Sequence, residues 1–490
     1  MENLFGQFAR HFPTDRSTVL LQLADGSRLS YAEALGESAR LANYLMELGL
    51  HPGDRVTVQA PKNPMTLWLY LACLRSGLIF HPLNDAYLAE ELKYFIEDAV
   101  PALVVCAPAR LELFRSLCGG RNTPVLTVDD AGAGSLADAS AASANDFQTI
   151  AVADDDVAVL LYSSGTTGRP KGAMITHTNL AANIRTLAKA WSFTPDDHLL
   201  HALPTYHAHG LFVGVGCVLM SGASMSYLPS FDAAQVADLL PNATVMMGVP
   251  TYYTRLLSYP GFDRDVCRNM RLFISGSAPL RAETFAEFRD RSGHDILERY
   301  GLTETGMNSA NPLDAERRPG SVGPALPGIQ IRVADDRDRP LASGAIGEVQ
   351  ISGPNVFRGY WRKPEKTAEV FTADGFFRTG DQGMLGKDGY LSIVGRDKDM
   401  IISGGLNVYP REVESVIDDL PGVAESAVIG VPHQDFGEAV VAVVVAQQHA
   451  SPEEQAIIAK LRDRLANFKL PKRVFQVSEL PRNADRKSVV

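Results

Sequence analysis

The chain has 490 residues, 46% of them hydrophobic and 21% charged, which is typical of soluble globular proteins and excludes disordered or collagen-like classes. This length exceeds what a single hydrophobic core usually supports, so two or more domains are expected. The 46 basic and 57 acidic residues give a formal net charge of −11, which argues against a general nucleic-acid or anionic-membrane binder.

Helices and strands alternate through most of the chain. Apolar residues recur at helical spacing from Leu29 to Leu50, with Ser30 as N-cap and Gly49 at the end. The strand-like run VTVQA follows, and VPALVVCA, VAVLLYSS, ATVMMGVP and MRLFISGS each precede a turn and a helical stretch. This alternation predicts stacked α/β layers. Residues 129–155, rich in Ala, Ser and Asp, are predicted to form a loose surface connection.

The pattern changes after Gly395. Helices are predicted from Arg411 to Leu420 and from Pro452 to Phe468, and the runs AESAVIGV and AVVAVVVA read as strands, which indicates a small α+β domain. The charged segment GRDKD between the two regions is suited to a hinge. The predicted organisation is a large domain over 1–395 and a small domain over 396–490, with the hinge at 396–399.

The cysteines and apolar runs indicate the compartment. The five cysteines are widely spaced, with no pair at metal-ligand spacing, which predicts buried reduced thiols. The most apolar stretch, Leu211 to Met220, is short and contains Gly214 and Gly216, so neither a membrane-spanning helix nor an apolar leader is expected. We expect a cytoplasmic protein with no membrane or nucleic-acid partner, and either a monomer or a homodimer.

A glycine-rich loop, YSSGTTGRPKGA, follows the apolar strand VAVLL. Its three glycines allow amide N–H groups to converge on phosphate oxygens, while hydroxyls and a lysine add donors and positive charge. The residues expected to bind a polyanion are Ser163, Ser164, Gly165, Thr166, Thr167, Gly168 and Lys171. The loop is not a Walker motif, because no Gly-Lys-Ser/Thr ending lies at the required spacing. A flexible hairpin is the alternative, against which the twelve matching residues argue.

The run SSGTTGRPKGA resembles the signature loop of adenylate-forming enzymes, the superfamily of acyl-CoA synthetases, luciferases and peptide-synthetase adenylation domains. ERYGLTETG, RTGDQG and GRDKDMIISGGLNVYPREVE resemble its further segments, in the family's order. The resemblance covers nearly the whole chain. It implies an ATP-dependent acid–thiol ligase that forms an acyl-adenylate with Mg²⁺, releases pyrophosphate and AMP, and uses coenzyme A as co-substrate.

The resemblance also implies residue roles. Thr166 and its neighbours would contact the outgoing phosphates, Thr303 the α-phosphate, and Glu304 the Mg²⁺ ion, which prefers carboxylate and phosphate oxygens. Tyr300 would stack on adenine, and Asp381 would accept hydrogen bonds from the ribose hydroxyls. The nucleotide would be contacted by Gly276, Ser277, Ala278, Glu298, Arg299, Tyr300, Gly301, Thr303, Asp381 and Arg396.

The family's small domain rotates between the two half-reactions. Lys398 is at the hinge position, and Gly404 and Gly405 would line the pantetheine tunnel, where glycine allows close approach. Lys487 is at the position of the family's catalytic lysine, but Arg486 replaces the glycine that usually precedes it. Either Lys487 acts from a mobile tail, or the altered tail slows adenylation.

The resemblance implies that two segments, LPTYHAHGLF and VMMGVPTYYTRLL, line the acyl pocket, and they contain polar groups that a long-chain acid would not need. A buried guanidinium is costly unless a carboxylate meets it, so Arg255 and Arg299, with His209, predict a short dicarboxylic acid.

The motifs YHAHGLF, GVPTYYTRLL and LERYGLTET resemble malonyl-CoA synthetases, which implies malonate, with methylmalonate as a poorer substrate. Alternatives are another short, medium-chain or aromatic acid, a carrier-loading adenylation enzyme, and a non-catalytic nucleotide-binding protein. The spacing of His201, His207 and His209 fits no zinc pattern.

Overall fold

A computed structural model describes residues 3–163, 169–278, 280, 282–396, 401–408, 410–447, 450 and 453–480. Seven predicted site residues lie outside these ranges, namely Ser164, Gly165, Thr166, Thr167, Gly168, Lys398 and Lys487. Their roles stay predictions.

Helices cover the faces of the sheets and fill the space between them. In chain order they are α1 (Leu4–His11), α2 (Tyr31–Glu47), α3 (Pro64–Arg75), α4 (Ala89–Ala99), α5 (Leu111–Leu117), α6 (Ser135–Ser140), α7 (His177–Ala190), α8 (Gly216–Ser221), α9 (Ala233–Leu239), α10 (Pro250–Ser258), α11 (Ala282–Ser292), α12 (Pro364–Glu369), α13 (Pro410–Asp418) and α14 (Glu454–Arg462). A π-helical segment, His209–Val215, leads directly into α8. Among the described residues, no helix combines the length and apolarity that crossing a bilayer requires.

Within the described residues, the strands form four sheets. In chain order they are β1 (Val19–Leu23), β2 (Arg28–Ser30), β3 (Arg55–Gln59), β4 (Ile79–Pro82), β5 (Leu103–Cys106), β6 (Val125–Thr127), β7 (Val157–Ser163), β8 (Lys171–Thr176), β9 (His198–His201), β10 (Ser224–Tyr227), β11 (Val245–Gly248), β12 (Leu272–Ser275), β13 (Ile296–Leu302), β14 (Gly306–Ala310), β15 (Gln330–Ala334), β16 (Ile346–Ser352), β17 (Gly359–Tyr360), β18 (Phe377–Leu385), β19 (Leu391–Arg396), β20 (Ile401–Ser403), β21 (Leu406–Val408), β22 (Val423–His433), β23 (Gly437–Ala446) and β24 (Arg473–Val477).

Two large sheets enclose a layer of helices. One has the order β14-β13-β12-β11-β9-β10-β1-β2 and the other β17-β8-β7-β4-β3-β5-β6, and their inner faces share one core with α2, α3, α7 and α8. Because side chains alternate along a strand, Leu199 of β9 enters this core while Leu200 packs outward with α10 and α11. Helices α4 and α5 cover the outer face of the second sheet. The predicted stacked α/β layers are confirmed.

The parallel strands of the first sheet define an edge for the site. Strand β9 pairs in parallel with β10 and β11, and β11, β12 and β13 follow in parallel. Their carboxyl ends therefore meet on one side, where crevices in open α/β sheets bind ligands. The four-stranded sheet β15-β16-β18-β19 brings Asp381 to the same region.

The C-terminal residues form a separate small α+β domain, as predicted, with a core of its own between β22–β24 and helices α13 and α14. The placement of its limit at residues 395/396 stays a prediction. A buried ion pair joins it to the large domain: Nζ of Lys469 lies 2.5 Å from the carboxylate of Glu91 and 2.7 Å from that of Glu412.

Local sequence explains most element ends. The Ser30 hydroxyl accepts from the Glu33 backbone N–H and caps α2, while the Glu33 carboxylate accepts from the Ser30 backbone N–H, as the predicted cap requires. The prediction of a loose connection over 129–155 is wrong in part, because this segment contains α6. Arg40 and Asn43 donate to four carbonyl groups of residues 141–146, so side chains of α2 hold the segment in place.

Candidate active site

A cavity of about 2190 Å³ opens at the carboxyl edge of the parallel strands. Loops that follow β9 to β13 form much of its wall, and the C-terminal domain closes one side. The wall includes these residues predicted from sequence: Ser163, Lys171, His209, Arg255, Ser277, Ala278, Glu298, Arg299, Tyr300, Gly301, Thr303, Glu304, Asp381, Gly404 and Gly405. Residues up to 380 positions apart in sequence, from Val58 to Glu438, thus meet at one cavity.

One end of the cavity combines a carboxylate, hydroxyls and a lysine. The antiparallel pair β7–β8 places Ser163 opposite Lys171, at the two ends of the glycine-rich loop. The Ser163 hydroxyl donates to Oε1 of Glu304 over 2.5 Å, and the Tyr360 hydroxyl donates to the same oxygen over 3.1 Å. Nζ of Lys171 lies 4.8 Å from the centre of the Tyr360 ring. Burial lowers the pKa of Lys171, and the nearby Glu304 carboxylate opposes this effect.

The same end could accept a polyanion with its cation. Among the described residues, no three His, Cys, Asp or Glu side chains lie together as a metal site. A single buried carboxylate such as Glu304 nevertheless fits Mg²⁺, which keeps several waters and takes its other ligands from phosphate oxygens.

A second group of residues lies on β13 and β18. The Tyr300 hydroxyl donates to Oδ2 of Asp381 over 2.5 Å, and Asp381 is 1% exposed. Strand pairing places the backbone of Arg396 directly opposite Asp381, which is all that the structure describes of Arg396. The pair Tyr300–Asp381 presents an aromatic face and an acceptor-only carboxylate side by side, which suits a nucleoside.

Arg299 is a buried cation in the cavity wall. Its side chain is 3% exposed, and its Nε and Nη2 atoms have no hydrogen-bond partner among the described residues. Burial lowers the pKa of Arg299 to about 9, and Tyr253 partly opposes this effect. Two buried guanidinium nitrogens without acceptors are costly, so the guanidinium is suited to meet an anion that enters the cavity.

Gly276 makes room for this guanidinium. A Cβ atom at position 276 would overlap Cζ, Nε and Nη1 of Arg299. Gly276 is not among the residues that line the cavity. Its contact with Arg299 was not identified from the sequence.

His209 and Ser277 lie beside Arg299. Nδ1 of His209 is 3.4 Å from the Ser277 hydroxyl, and its buried Nε2 has no partner among the described residues. Burial lowers the pKa of His209 well below its ordinary value, and Arg299, His201 and His207 lower it further. The imidazole is therefore neutral, with one nitrogen left for a ligand. Ser277 has φ of 69°, a left-handed conformation that is uncommon for serine and often found at functional sites.

Glu298 precedes Arg299 on β13 and is also buried. Burial raises the pKa of its carboxyl group to about 7, although backbone N–H groups of Leu280 and Gly320 oppose the change. Its Oε1 atom has no partner among the described residues. Burial therefore favours the neutral, protonated form of this carboxyl group more than in an exposed glutamate.

Arg255 lies at the rim of the cavity on α10, and its side chain is exposed. The burial argument that supports Arg299 as an anion partner therefore does not extend to Arg255. Its predicted role stays a prediction.

The small domain contributes a glycine hairpin to the cavity. Gly404 and Gly405, between β20 and β21, have φ of 61° and 76°, which glycine adopts without strain. A Cβ atom on Gly405 would lie 3.3 Å from the Val249 side chain in the large domain. The hairpin is thus packed closely against the cavity wall.

Sequence reasoning missed two cavity residues with clear geometry. Tyr360 and Ser163 both donate hydrogen bonds to the Glu304 carboxylate. The sequence FRGYW around Tyr360 could have indicated this residue. Nζ of Lys62 lies 2.8 Å from Nδ1 of His201 and donates to the carbonyl oxygens of His201 and Leu203. A lysine in a connection after a strand carries no periodic signal that would have identified it.

Comparison with known proteins identifies the family. The model of the AMP-binding enzyme family matches residues 5–361, and that of the AMP-binding enzyme C-terminal domain matches residues 412–487. The chain belongs to the AMP-binding enzyme family.

Curated relatives of this AMP-binding enzyme include CoA ligases of two substrate types. A feruloyl-CoA synthase of Amycolatopsis sp is 37% identical over 93% of this chain and 91% of its own length. A mitochondrial malonate–CoA ligase of Mus musculus is 36% identical over 93% of this chain and 84% of its own length.

Solved structures extend the similarity. ATP-bound MatB from Rhodopseudomonas palustris is 50% identical, with a TM-score of 0.80 over 99% of this chain and 96% of that chain. A malonyl-CoA ligase in a ternary product complex with methylmalonyl-CoA and AMP is 34% identical, with a TM-score of 0.84 over 98% of this chain and 100% of that chain. The family and these relatives establish an AMP-forming acid–CoA ligase that uses ATP and CoA.

Proposed function

We propose that this ligase acts on malonate, with methylmalonate as a poorer substrate. The observation that carries the proposal is the Arg299 guanidinium, which is buried in the cavity wall with two of its nitrogen atoms unpaired among the described residues. A planar guanidinium binds a carboxylate through two parallel hydrogen bonds, so a second carboxylate on the acid would complete this site. His209 and Ser277 would add neutral hydrogen-bonding groups beside it.

In the first half-reaction, a carboxylate oxygen attacks the α-phosphorus of ATP, and pyrophosphate leaves. The phosphates would be bound by Lys171, by the Ser163 hydroxyl and by the glycine-rich loop that joins these two residues. Thr303 would also contact the phosphates. Glu304 would hold Mg²⁺, which neutralises the charge that develops on the phosphate oxygens. Tyr300 and Asp381 would orient the nucleoside, so that binding energy is used for in-line positioning.

In the second half-reaction, the CoA thiol attacks the acyl carbon and AMP leaves. The described orientation of the small domain, with Gly405 against Val249, would suit this step, because glycines allow a narrow pantetheine arm to approach the backbone closely. Lys398 would be the hinge, and Lys487 would act in the other orientation.

An aromatic acid is the second candidate. The feruloyl-CoA synthase similarity supports it, and so does the stacked pair Phe231–Tyr252 in the cavity wall, whose ring centres are 4.0 Å apart. An aromatic monocarboxylate would leave the Arg299 guanidinium buried without an anion, which makes this candidate the weaker one.

A panel of acids tests the proposal. CoA-dependent AMP formation is measured with malonate, methylmalonate, acetate, octanoate and ferulate. Malonate should have the highest kcat/KM, exceeding acetate by on the order of 100-fold, as expected when a buried charge pair is lost. A highest kcat/KM for ferulate or octanoate would overturn the malonate assignment.

A further inference from the structure

Lys62 lines the cavity and lies on the segment between β3 and α3. Its side-chain nitrogen has four close neighbours. Nζ is 2.8 Å from Nδ1 of His201, 2.9 Å from the His201 carbonyl oxygen and 2.9 Å from the Leu203 carbonyl oxygen. It also lies 4.5 Å from the centre of the Tyr227 ring. None of these partners is a carboxylate.

His201 continues the chain of contacts. Its Nε2 atom is 2.8 Å from the Gly210 carbonyl oxygen, in the π-helical segment that begins at His209. A Cβ atom on Gly214 would lie 2.9 Å from this ring, so the glycine provides the space that the imidazole occupies. Lys62 and His201 thus connect the loop after β9 to the segment that carries His209.

The number of hydrogens in these contacts fixes the charge. Three of the four contacts end on carbonyl oxygens, which only accept, so Lys62 and His201 must supply one hydrogen to each. The fourth contact joins Nζ to Nδ1 and needs a hydrogen of its own. A neutral amine and a neutral imidazole together have three N–H hydrogens, which would leave two lone pairs facing each other over 2.8 Å. Four hydrogens require one positive charge on the pair.

Burial acts against this charge. It lowers the pKa of Lys62 well below its ordinary value and that of His201 to about 3. The hydrogen bonds to three carbonyl oxygens and the Tyr227 ring face oppose that effect, since they stabilise the protonated pair. The contacts of the pair include no carboxylate among the described residues, and Lys62 lines the same cavity as Arg299.

We propose that the Lys62–His201 pair carries a single positive charge and is a specificity-determining element of the acyl cavity, selecting acids that have a second negative charge. This inference rests on the proposed malonate activity. All three Nζ hydrogens are already used, so the pair acts on the acid through its electrostatic field, not through a hydrogen bond. Arg299 remains the contact group.

Paired substrates separate charge from shape. The kcat/KM values of malonate and of its monomethyl ester are measured for the wild type, Lys62→Met, and Lys93→Met, an exposed control on α4. Lys62→Met should lower kcat/KM for malonate roughly 10-fold or more, mainly through KM, and change that for the monoester by less than about 2-fold. Lys93→Met should change neither. Equal losses on both substrates, or no loss on malonate, would overturn the specificity role.

Two further outcomes are distinguishable. A wild-type enzyme that does not prefer malonate to its monoester overturns the proposed function, and the specificity role with it. If Lys62→Met does not fold, nitrogen-15 NMR of the labelled wild type decides the charge, with Lys62→Arg used to assign the signal. An ammonium on Lys62 or an imidazolium on His201 at neutral pH supports the proposal, and a neutral amine beside a neutral imidazole overturns it.

Discussion

The guanidinium of Arg299 packs directly against the backbone of Gly276, so that a methyl group at position 276 would overlap three of its atoms. Gly276 directly follows β12, and Arg299 lies within β13, the strand that pairs with β12. Gly276 is therefore required for the position of the buried cation, whatever else it contacts.

Gly276→Ala should displace Arg299 and lower kcat/KM for malonate by on the order of 10- to 100-fold, because small misplacements of a binding group are costly. The matched control is Gly36→Ala in α2, where a Cβ atom meets nothing within 4 Å. The control should keep full activity and gain slight stability, since alanine favours helices. Equal activity of the two variants would show that the Gly276 contact is not needed.

The ion pair between Glu91 and Lys469 should favour the domain orientation described here. Both side chains are buried, at 7% and 3% exposed, and only Glu91 belongs to the large domain. Glu91→Gln should slow thioester formation from supplied acyl-AMP roughly 10-fold and leave ATP–pyrophosphate exchange unchanged, because breaking a buried pair destabilises the arrangement that contains it.

The neighbouring exposed residue provides the control for this experiment. Glu90→Gln removes the same charge from α4 without touching Lys469 and should affect neither half-reaction. A uniform loss in both half-reactions of Glu91→Gln would indicate misfolding of α4 instead of an effect on orientation.

Glu298 should make stability depend on pH. Its pKa is about 7 in the folded chain, above the ordinary 4.5, so the folded state binds a proton more tightly than the unfolded state. The stabilisation is fully present below pH 4.5 and is lost as the pH rises through about 7, at most on the order of 3 kcal/mol.

Thermal unfolding of wild type and Glu298→Gln, at pH values below 4.5 and above 7, measures this effect. The glutamine variant should lose less stability than the wild type over that range. The same change at exposed Glu365 provides the control and should leave the pH dependence as it is. Parallel curves for wild type and Glu298→Gln would contradict the raised pKa.

Lys487 lies outside the described residues, and kinetics can test its role. Lys487→Ala should lower adenylation strongly, by roughly 100-fold or more if the lysine stabilises the transition state, while thioester formation from supplied acyl-AMP survives. Pyrophosphate release and acyl transfer are measured separately. An unchanged adenylation rate would remove Lys487 from the mechanism and favour a different cation.

Much of the fold and part of the site followed from sequence. Hydrophobic periodicity predicted the layers, and the ordered motifs placed Tyr300, Glu304 and Asp381 in one site, where the structure brings them to one cavity. Their hydrogen bonds, such as Tyr300 to Asp381 across 81 positions, depend on tertiary packing that no local pattern encodes.

Other features could not be predicted for physical reasons. Lys62 is not part of any repeating sequence pattern. The groups that it contacts are 139 and 141 positions away in the sequence. Burial distinguishes Arg299 from Arg255, yet both occur in segments of similar composition, so sequence alone treated them alike. The burial of Arg299, including its contact with Gly276, arises from tertiary packing that no local pattern encodes.

The decisive measurement is kcat/KM for malonate and for acetate in the wild type, Arg299→Leu and Arg255→Leu. Arg299→Leu should lower the malonate value by roughly 100-fold or more and the acetate value by less than about 10-fold, because it removes the partner of a desolvated carboxylate. Arg255→Leu should also lower kcat/KM for malonate more than that for acetate. The difference should be smaller than for Arg299→Leu, since the Arg255 side chain is exposed. Equal losses on both acids in Arg299→Leu would contradict a buried guanidinium that binds the second carboxylate of malonate.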